Sequence, residues 1–389
     1  MSDELAMLVV GGGPAGLAAV RGYRDAGGMG SVAIVCDEER MPYRRPPLTK
    51  ELLRGELDEA ELALEAEAWL AEQSVSLVSG RAVALDPTAH SVTLAGGRRL
   101  RYARCVLATG AEPRRLTVPG CDDPGVRVVR SLDHVRELVH RLRSAPNAIV
   151  IGSGFIGCEI AASLRRRGHA VTLVSDEPAP NERRLGPDAG AELAQWLTDE
   201  GVDLRLGVGV EAIRRVGDAL EVIAAETTVR AAVVVMATGV APRGELLAGE
   251  PEALSDGAVA VDDAMRTRLP DLLAAGDVAR AFNAAAGRQL RVEHWGDALT
   301  QGEIAGATVA GKAASWDSVP GFWSTIGARV LKYAAWGDGH DEVLFERRAA
   351  GAFVARYERE GRLVGILAHD ADEDYERGQD LIAEGASWR

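Results

Sequence analysis

Two trios of glycines are the residues in this sequence with the clearest chemical meaning. The first is Gly11, Gly13 and Gly16, within Gly11-Gly12-Gly13-Pro14-Ala15-Gly16; the second is Gly152, Gly154 and Gly157, within Gly152-Ser153-Gly154-Phe155-Ile156-Gly157. Both have the G-x-G-x-x-G spacing with which a backbone turn receives the pyrophosphate of a dinucleotide. The first glycine allows a tight turn, the second removes a Cβ where the phosphates approach, and the third lets a helix pack close to a strand. The phosphates then face N–H groups at the positive end of that helix. One such spacing is weak, because an ordinary strand–helix crossover with glycines in its turn produces it too. Here the surroundings repeat as well. Asp37 and Glu38 follow the first unit's second strand, and Asp176 follows Ser175 in the second unit. Asp37 lies 26 residues after Gly11, near the spacing of about 20 for an acid that holds a ribose hydroxyl. Each unit later has a strand ending in Ala-Thr-Gly: Ala108-Thr109-Gly110 and Ala237-Thr238-Gly239.

The elements that must position these groups follow from the apolar runs. Residues 5–10 predict a strand, 17–26 a helix closed by Gly27-Gly28, and 32–35 a second strand. The acidic, alanine-rich stretch 57–72 predicts a helix, 75–78 a strand, and 83–85 with 91–94 a meander turning at Gly96-Gly97. A strand at 100–102 and a buried strand at 105–108 come next. In the second unit, 132–142 and 158–167 predict helices, and 148–151, 170–174 and 233–237 strands. A further buried strand at 272–278 ends in Gly276-Asp277. An acid there stands where α/β sheets bind ligands and could accept hydrogen bonds from hydroxyls of a flavin side chain; a helix cap is the alternative. In residues 41–50 the prolines predict an extended approach and a helix from Leu48. The charges of Arg44, Arg45 and Lys50 suit contact with a cofactor and equally a solvated basic loop. Glu293-His294-Trp295 precede a helix at 298–310. From Val319 the texture changes, with aromatic residues at 321–324, a meander over 343–368 and a last helix at 375–384.

With 389 residues, 47% hydrophobic and 26% charged, the chain reads as a globular protein of two or three domains. A net charge of −14 argues against a general nucleic-acid binder. The start runs from acidic residues straight into the first strand, which leaves no room for a signal peptide, and the apolar stretch from 231 is far short of a membrane span. A cytoplasmic protein with no membrane association and no metal site is expected. The four cysteines, Cys36, Cys105, Cys121 and Cys158, form no close pair and read as small buried hydrophobes in a reducing compartment.

In residues 11–16, 42–50, 108–110, 152–159, 237–239, 274–277, 293–295 and 322–324 the chain resembles the FAD-dependent ferredoxin reductases of oxygenase systems. That group includes putidaredoxin reductase, rubredoxin reductase and the reductase component of biphenyl dioxygenase. The most specific element is Arg45-Pro46-Pro47-Leu48-Thr49-Lys50. It stands where disulfide reductases of the same fold carry a C-x-x-x-x-C pair.

The resemblance implies an α/β fold with two Rossmann-like domains of the glutathione-reductase kind and a small α+β C-terminal domain. The FAD-binding domain would be discontinuous, 1–115 and 245–318; the NAD(P)H-binding domain would be 116–244 and the C-terminal domain 319–389. It implies FAD on Gly11, Gly13, Pro14, Ala15, Gly16, Asp37, Glu38, Arg45, Lys50, Ala108, Thr109, Gly110 and Asp277. Glu293, His294, Trp295 and Trp323 would lie close to the flavin. NAD(P)H would take Gly152, Gly154, Phe155, Ile156, Gly157, Asp176, Thr238 and Gly239. The catalytic pair would be Lys50, which stabilises negative charge on reduced flavin, and Glu159, which orients Lys50. On this resemblance hydride would pass from nicotinamide to flavin, and single electrons would pass on to a [2Fe-2S] ferredoxin or similar iron–sulfur protein serving a cytochrome P-450 or a Rieske-type oxygenase.

The chain departs from the family's pattern in two places, and its acidity raises a third question. Ser175 stands where an acid usually closes the second unit, with Asp176 one place later; an Asp favours NADH, while Arg183 and Arg184 leave NADPH open. The stretch 331–339 differs from the commoner forms, which leaves the partner's identity open. Docking an acidic ferredoxin on an acidic protein requires a local basic patch, with Arg44, Arg329, Lys332, Arg347 and Arg348 as candidates and solvated surface as the alternative for each. Two other functions share the pattern: a flavin–NAD binding protein like apoptosis-inducing factor, and a flavoenzyme acting directly on a small organic substrate. A monomer and a homodimer are both compatible with the sequence.

Overall fold

The apolar run before the first glycine turn forms the strand Glu4–Val10, whose last four residues are buried. The computed structural model describes residues 4–225, 227–250 and 253–388. The chain divides into two units, each gathered from separate stretches. The first takes the residues up to Arg44, Leu62–Glu112 and Ala241–Phe322; the second takes Arg45–Glu61, Pro113–Val240 and the chain from Trp323 onward.

In the first unit Glu4–Val10 lies between Val32–Cys36 and Arg99–Leu107, parallel to both. Val75–Ser79 extends the seven-stranded sheet on one side, and Ser91–Leu94 and Ala82–Asp86 extend it antiparallel on the other. Leu272–Ala274 pairs with the last third of Arg99–Leu107. The register sets Val10 beside Val35 and Leu107, and Leu107 beside Ala274. The carboxyl ends of these parallel strands are therefore level. The turns that follow, at Gly11, Asp37, Ala108 and Gly276, leave the sheet at the edge where such sheets bind ligands. The helix Pro14–Asp25 packs on Trp295–Val309 through glycines. A Cβ on Gly302, Gly306 or Gly22 would overlap the carbonyl oxygens of Ala15, Ala19 and Glu303 respectively, so the two backbones touch.

The second unit repeats the plan. Its five parallel strands run in the order Asp203–Arg205, Ala170–Val174, Asn147–Ile151, Val233–Met236, Val126–Val128. The antiparallel meander Ala212–Val216, Ala219–Ala224, Thr227–Ala231 buries Leu220 and Val222 with Ile149, Ile151, Val234 and Met236 of that sheet. A second, five-stranded sheet from the C-terminal stretch runs Gly321–Ile326, Arg329–Ala335, Arg362–His369, Phe353–Arg359, Glu342–Arg347, with the helix Asp372–Glu384 beside it. It is tied to the helix Pro187–Asp199: Trp196 packs on Phe353 and on the edge of His369, at ring distances of 5.8 and 4.6 Å. The Tyr357 hydroxyl donates to Leu185 O at 2.9 Å.

Several expected elements are corrected. The fingerprint helices begin at Pro14 and Phe155, three residues before the expected starts, because each turn passes directly into its helix after an extended glycine. The stretch 57–72 is not one helix. It forms a 3-10 turn, Glu59–Leu62, then extended chain, then a short helix Glu67–Glu72. Arg44 N–H donates to Leu62 O, Leu64 N–H donates to Pro42 O, and Tyr43 bridges Ala63. Those backbone groups are engaged across to residues 42–44 and are lost to a helix. The helix expected from Leu48 is split into Pro46–Thr49 and Glu51–Arg54, with Lys50 (φ −123°, ψ −109°) in neither. The strands expected at 100–102 and 105–108 are one strand, Arg99–Leu107, which changes partner midway. The strand expected at 272–278 ends at Ala274, and Gly276 turns at φ 79°. The helix expected at 298–310 begins at Trp295, and the one expected at 375–384 begins at Asp372.

Candidate cofactor sites and a buried lysine–glutamate pair

The two glycine turns are built alike down to single atoms. Gly11 has φ 128° and Gly152 φ 102°, backbone that favours glycine. A Cβ on Gly11 would overlap Ala108 O, and one on Gly152 would overlap Ala237 O. The alanine of each Ala-Thr-Gly motif is thus the floor of the matching turn, which explains why the two motifs recur together. Ala108 N–H donates to Val10 O and Ala237 N–H to Ile151 O, both at 2.8 Å. Around Gly13 and Gly154 a Cβ would meet nothing within 4 Å, so the turn opens outward there. Gly16 and Gly157 press on the carbonyls of Gly11 and Gly152. Neither helix start has a side-chain cap, which leaves first-turn N–H groups to be satisfied from outside. Open backbone, an uncapped first turn and a helix N-terminus fit the phosphates of a dinucleotide at both places.

Around the first turn, Thr109 Oγ1 donates to Arg243 O at 2.6 Å and Arg243 N–H donates to Gly110 O at 2.9 Å. This holds the Arg243 guanidinium 3.5 Å from the Asp37 carboxylate. Tyr43 donates to Glu38 Oε2. Gly276, just before the buried Asp277, packs on Ala15 and is fixed by Gln301, whose Oε1 accepts its N–H at 2.9 Å. Pro14 and Ala15 open the helix itself. Glu293 pairs with Arg291 at 2.7 Å, His294 meets Asp297 at 3.2 Å and the Phe322 ring at 4.6 Å, and Trp295 begins the next helix.

In the second unit Phe155 opens the helix and Ile156 is exposed. Thr238 Oγ1 donates to Arg114 O at 2.8 Å, and Gly239 O accepts Arg114 N–H at 2.9 Å. Ser175 lies buried and accepts from Ser153 Oγ at 2.7 Å, whereas Asp176 is exposed and pairs with Arg183 at 2.8 Å. Arg45 donates to Arg130 O at 2.7 Å. Trp323 is half exposed.

Lys50 and Glu159 meet in the same unit, buried, at 2.9 Å. Lys50 Nζ and Thr49 Oγ1 both donate to Glu159 Oε2, the latter at 2.5 Å, and Ser324 Oγ donates to Oε1 at 2.8 Å. Ser163, one turn beyond Glu159, donates to Thr49 O at 2.7 Å, and Arg167 a further turn on donates to Leu53 O at 2.7 Å. Residues 159, 163 and 167 thus grip the segment 49–53 from one face of their helix. A buried carboxylate requires such partners, and a buried ammonium beside it is matched in charge.

The sequence profile of the pyridine nucleotide-disulphide oxidoreductases matches residues 5–302. The chain belongs to this family. It is an oxidoreductase, and the family works with FAD and NAD(P)H, two dinucleotides for the two turns described above. It is 35% identical to the ferredoxin reductase subunit of 5,5'-dehydrodivanillate O-demethylase from a Sphingobium species, over 97% of this chain and 93% of that one. Among solved structures it is similar to the ferredoxin reductase of the CYP199A2 system from Rhodopseudomonas palustris (TM-score 0.92, 31% identity, 98% of this chain and 95% of that one). It is also similar to putidaredoxin reductase in covalent complex with putidaredoxin (TM-score 0.91, 28% identity, 97% and 93%). The family's redox disulfide has no counterpart, since all four cysteines of this member are free. Among the described residues no helix is long and apolar enough to cross a membrane, and no group of His, Cys, Asp and Glu could hold a metal ion.

Sequence reasoning left Arg243, Thr49, Ser163 and Ser324 without a role. For Arg243 a signal existed: Ala-Pro-Arg after the second Ala-Thr-Gly mirrors Glu-Pro-Arg after the first. Four of the five candidate docking cations are answered by acids. Arg329 pairs with Asp199, Lys332 with Asp372, Arg347 with Glu192 and Arg348 with Asp374.

Proposed function

We propose that this oxidoreductase takes electrons from NADH and delivers them, through FAD, to a [2Fe-2S] ferredoxin that serves a cytochrome P-450 or Rieske-type oxygenase. The observation that carries the reading is two equivalent dinucleotide turns in a chain with no cysteine pair to receive the electrons. The named relatives, one an oxygenase's ferredoxin reductase subunit and one captured with its iron–sulfur partner, support it. FAD belongs to residues 1–115 and 245–318, NADH to 116–244, and the C-terminal domain is 319–389. When bound, FAD supplies the conversion of a two-electron donor into single electrons.

The chain's own groups bind, orient and balance charge. The N–H groups after Gly13 and Gly154 receive phosphates; Asp37 and Asp277 accept hydrogen bonds from hydroxyls. Lys50 offsets negative charge on the reduced ring, and Glu159 holds Lys50 in place. NADH is preferred because the exposed Asp176 can accept from a ribose 2′-hydroxyl, while Arg183, one of the two arginines that could meet a 2′-phosphate, is already paired with it.

Titration of the oxygen-free protein with NADH and then NADPH, followed by flavin absorbance, tests this. The flavin band bleaches with NADH at lower concentration than with NADPH, and returns when a ferredoxin is added. A protein that takes up no FAD overturns the assignment. A reduced complex that no iron–sulfur protein discharges overturns the reductase function.

A further inference from the structure

Glu159 is 3% exposed, yet each of its carboxylate oxygens has a donor. Oxygen Oε2 takes two, from Lys50 and Thr49, on the segment that the helix grips. Oxygen Oε1 takes one, from Ser324, which comes from the C-terminal stretch. That serine sits where the strand Gly321–Ile326 turns its side chain inward: Trp323 before it is 50% exposed, Ser324 1% and Ile326 0%. A hydroxyl on the buried face of a strand needs a partner of its own, and the Ser324 hydroxyl donates to Glu159 alone. The fit is mutual. Without that hydroxyl, Oε1 would be buried with no donor, and a carboxylate so placed rotates or loses its charge.

We propose that Ser324 is a positioning residue for electron transfer: by holding Glu159 Oε1 it keeps Oε2 turned to Lys50 and so fixes the lysine's charge and place. This rests on the reading that Lys50 offsets charge on the reduced flavin. The C-terminal domain thereby contributes one hydroxyl to the redox centre from 165 residues beyond Glu159.

The test uses the FAD-loaded full chain and two near-isosteric variants, Ser324→Thr and Ser324→Val. Both are β-branched and suit a strand; only Thr keeps the hydroxyl. Three readouts are taken: single-turnover flavin reduction by NADH, the midpoint potential of the bound flavin, and the side-chain nitrogen signals of 15N-lysine. The chain has only three lysines, Lys50, Lys312 and Lys332, so the last readout resolves them. Loss of one hydrogen bond to a charged group predicts flavin reduction about tenfold slower in Ser324→Val than in Ser324→Thr. It also predicts a lower potential in Ser324→Val and faster proton exchange at Lys50 alone. Equal behaviour of Thr and Val in all three overturns the proposal. Lys50→Met separates the two levels. If it lowers the potential while Ser324→Val does not, Lys50 keeps its role and Ser324 has none. If Lys50→Met also leaves the potential unchanged, the reading of Lys50 falls with the proposal.

Discussion

Gly12 has no assigned role in the fingerprint, yet the structure leaves it no alternative residue. A Cβ there would overlap Cys36 Sγ and crowd Cys36 Cβ, so the phosphate turn and the end of the second strand interlock. Gly12→Ala is expected to weaken FAD binding at least ~10-fold, and Cys36→Gly in the same chain should recover most of it, a coupling that a double-mutant cycle on FAD dissociation constants measures. At this scale much of the site was legible beforehand. Gly11, Gly13, Gly16 and their second-unit counterparts stand in open or crowded backbone as their spacing implies. Thr49 and Ser324 were not legible, because each acts through a partner more than 100 residues away that no local pattern indicates, and Arg243 was legible only by setting the two Ala-Thr-Gly motifs side by side. Lys50 has a compositional mark visible only with its burial known: it is one of three lysines among 44 cationic residues, and it is 6% exposed.

Among the elements, the helix pair Pro14–Asp25 and Trp295–Val309 sets the first turn. Its seam is backbone on backbone at Gly22, Gly302 and Gly306, so a side chain there must push the helices apart. Gly306→Val is expected to cost about 3 kcal/mol or more of stability, above the usual 1–3 for overpacking, because the obstacle is a carbonyl rather than a movable side chain. Chemical denaturation of the holoprotein reads this as a lower midpoint. The exposed Gly311→Ala serves as the control, and a smaller loss there is expected. The helix Phe155–Arg166 and its cap carry a second legible-in-hindsight pattern. Glu159, Ser163 and Arg167 form a polar stripe at intervals of four along one face, and all three bond to residues 49–53. Strands and fingerprint helices followed from apolar runs. The stretch 57–72 did not, because its alanine and glutamate content favours helix while Leu62 and Leu64 are committed to backbone partners at Arg44 and Pro42.

For the whole molecule, the resemblance of the two units extends from sheet order to the alanine carbonyl beneath each glycine turn. The cysteines lie within this frame at different depths. Cys36, Cys105 and Cys158 are buried, and desolvation raises all three thiols above their ordinary range, whereas Cys121 is partly accessible. A thiol reagent at neutral pH is therefore expected to modify one cysteine per native chain quickly and the other three only on unfolding; peptide mapping should locate the fast site at Cys121. Rapid modification of a second thiol would contradict the burial described here.

The second unit is made from three separated stretches of chain, and this has a consequence for the order in which a cell can complete it. Lys50 leaves the ribosome about 110 residues before Glu159 and about 270 before Ser324. At ~5–20 residues per second, the lysine waits roughly 14–55 s for its full set of neighbours. During that interval the first unit can gather all its stretches, since its last ends at Phe322. Synthesis therefore supplies the last donor to Glu159, Ser324, only after the fold that surrounds the first glycine turn has all its parts.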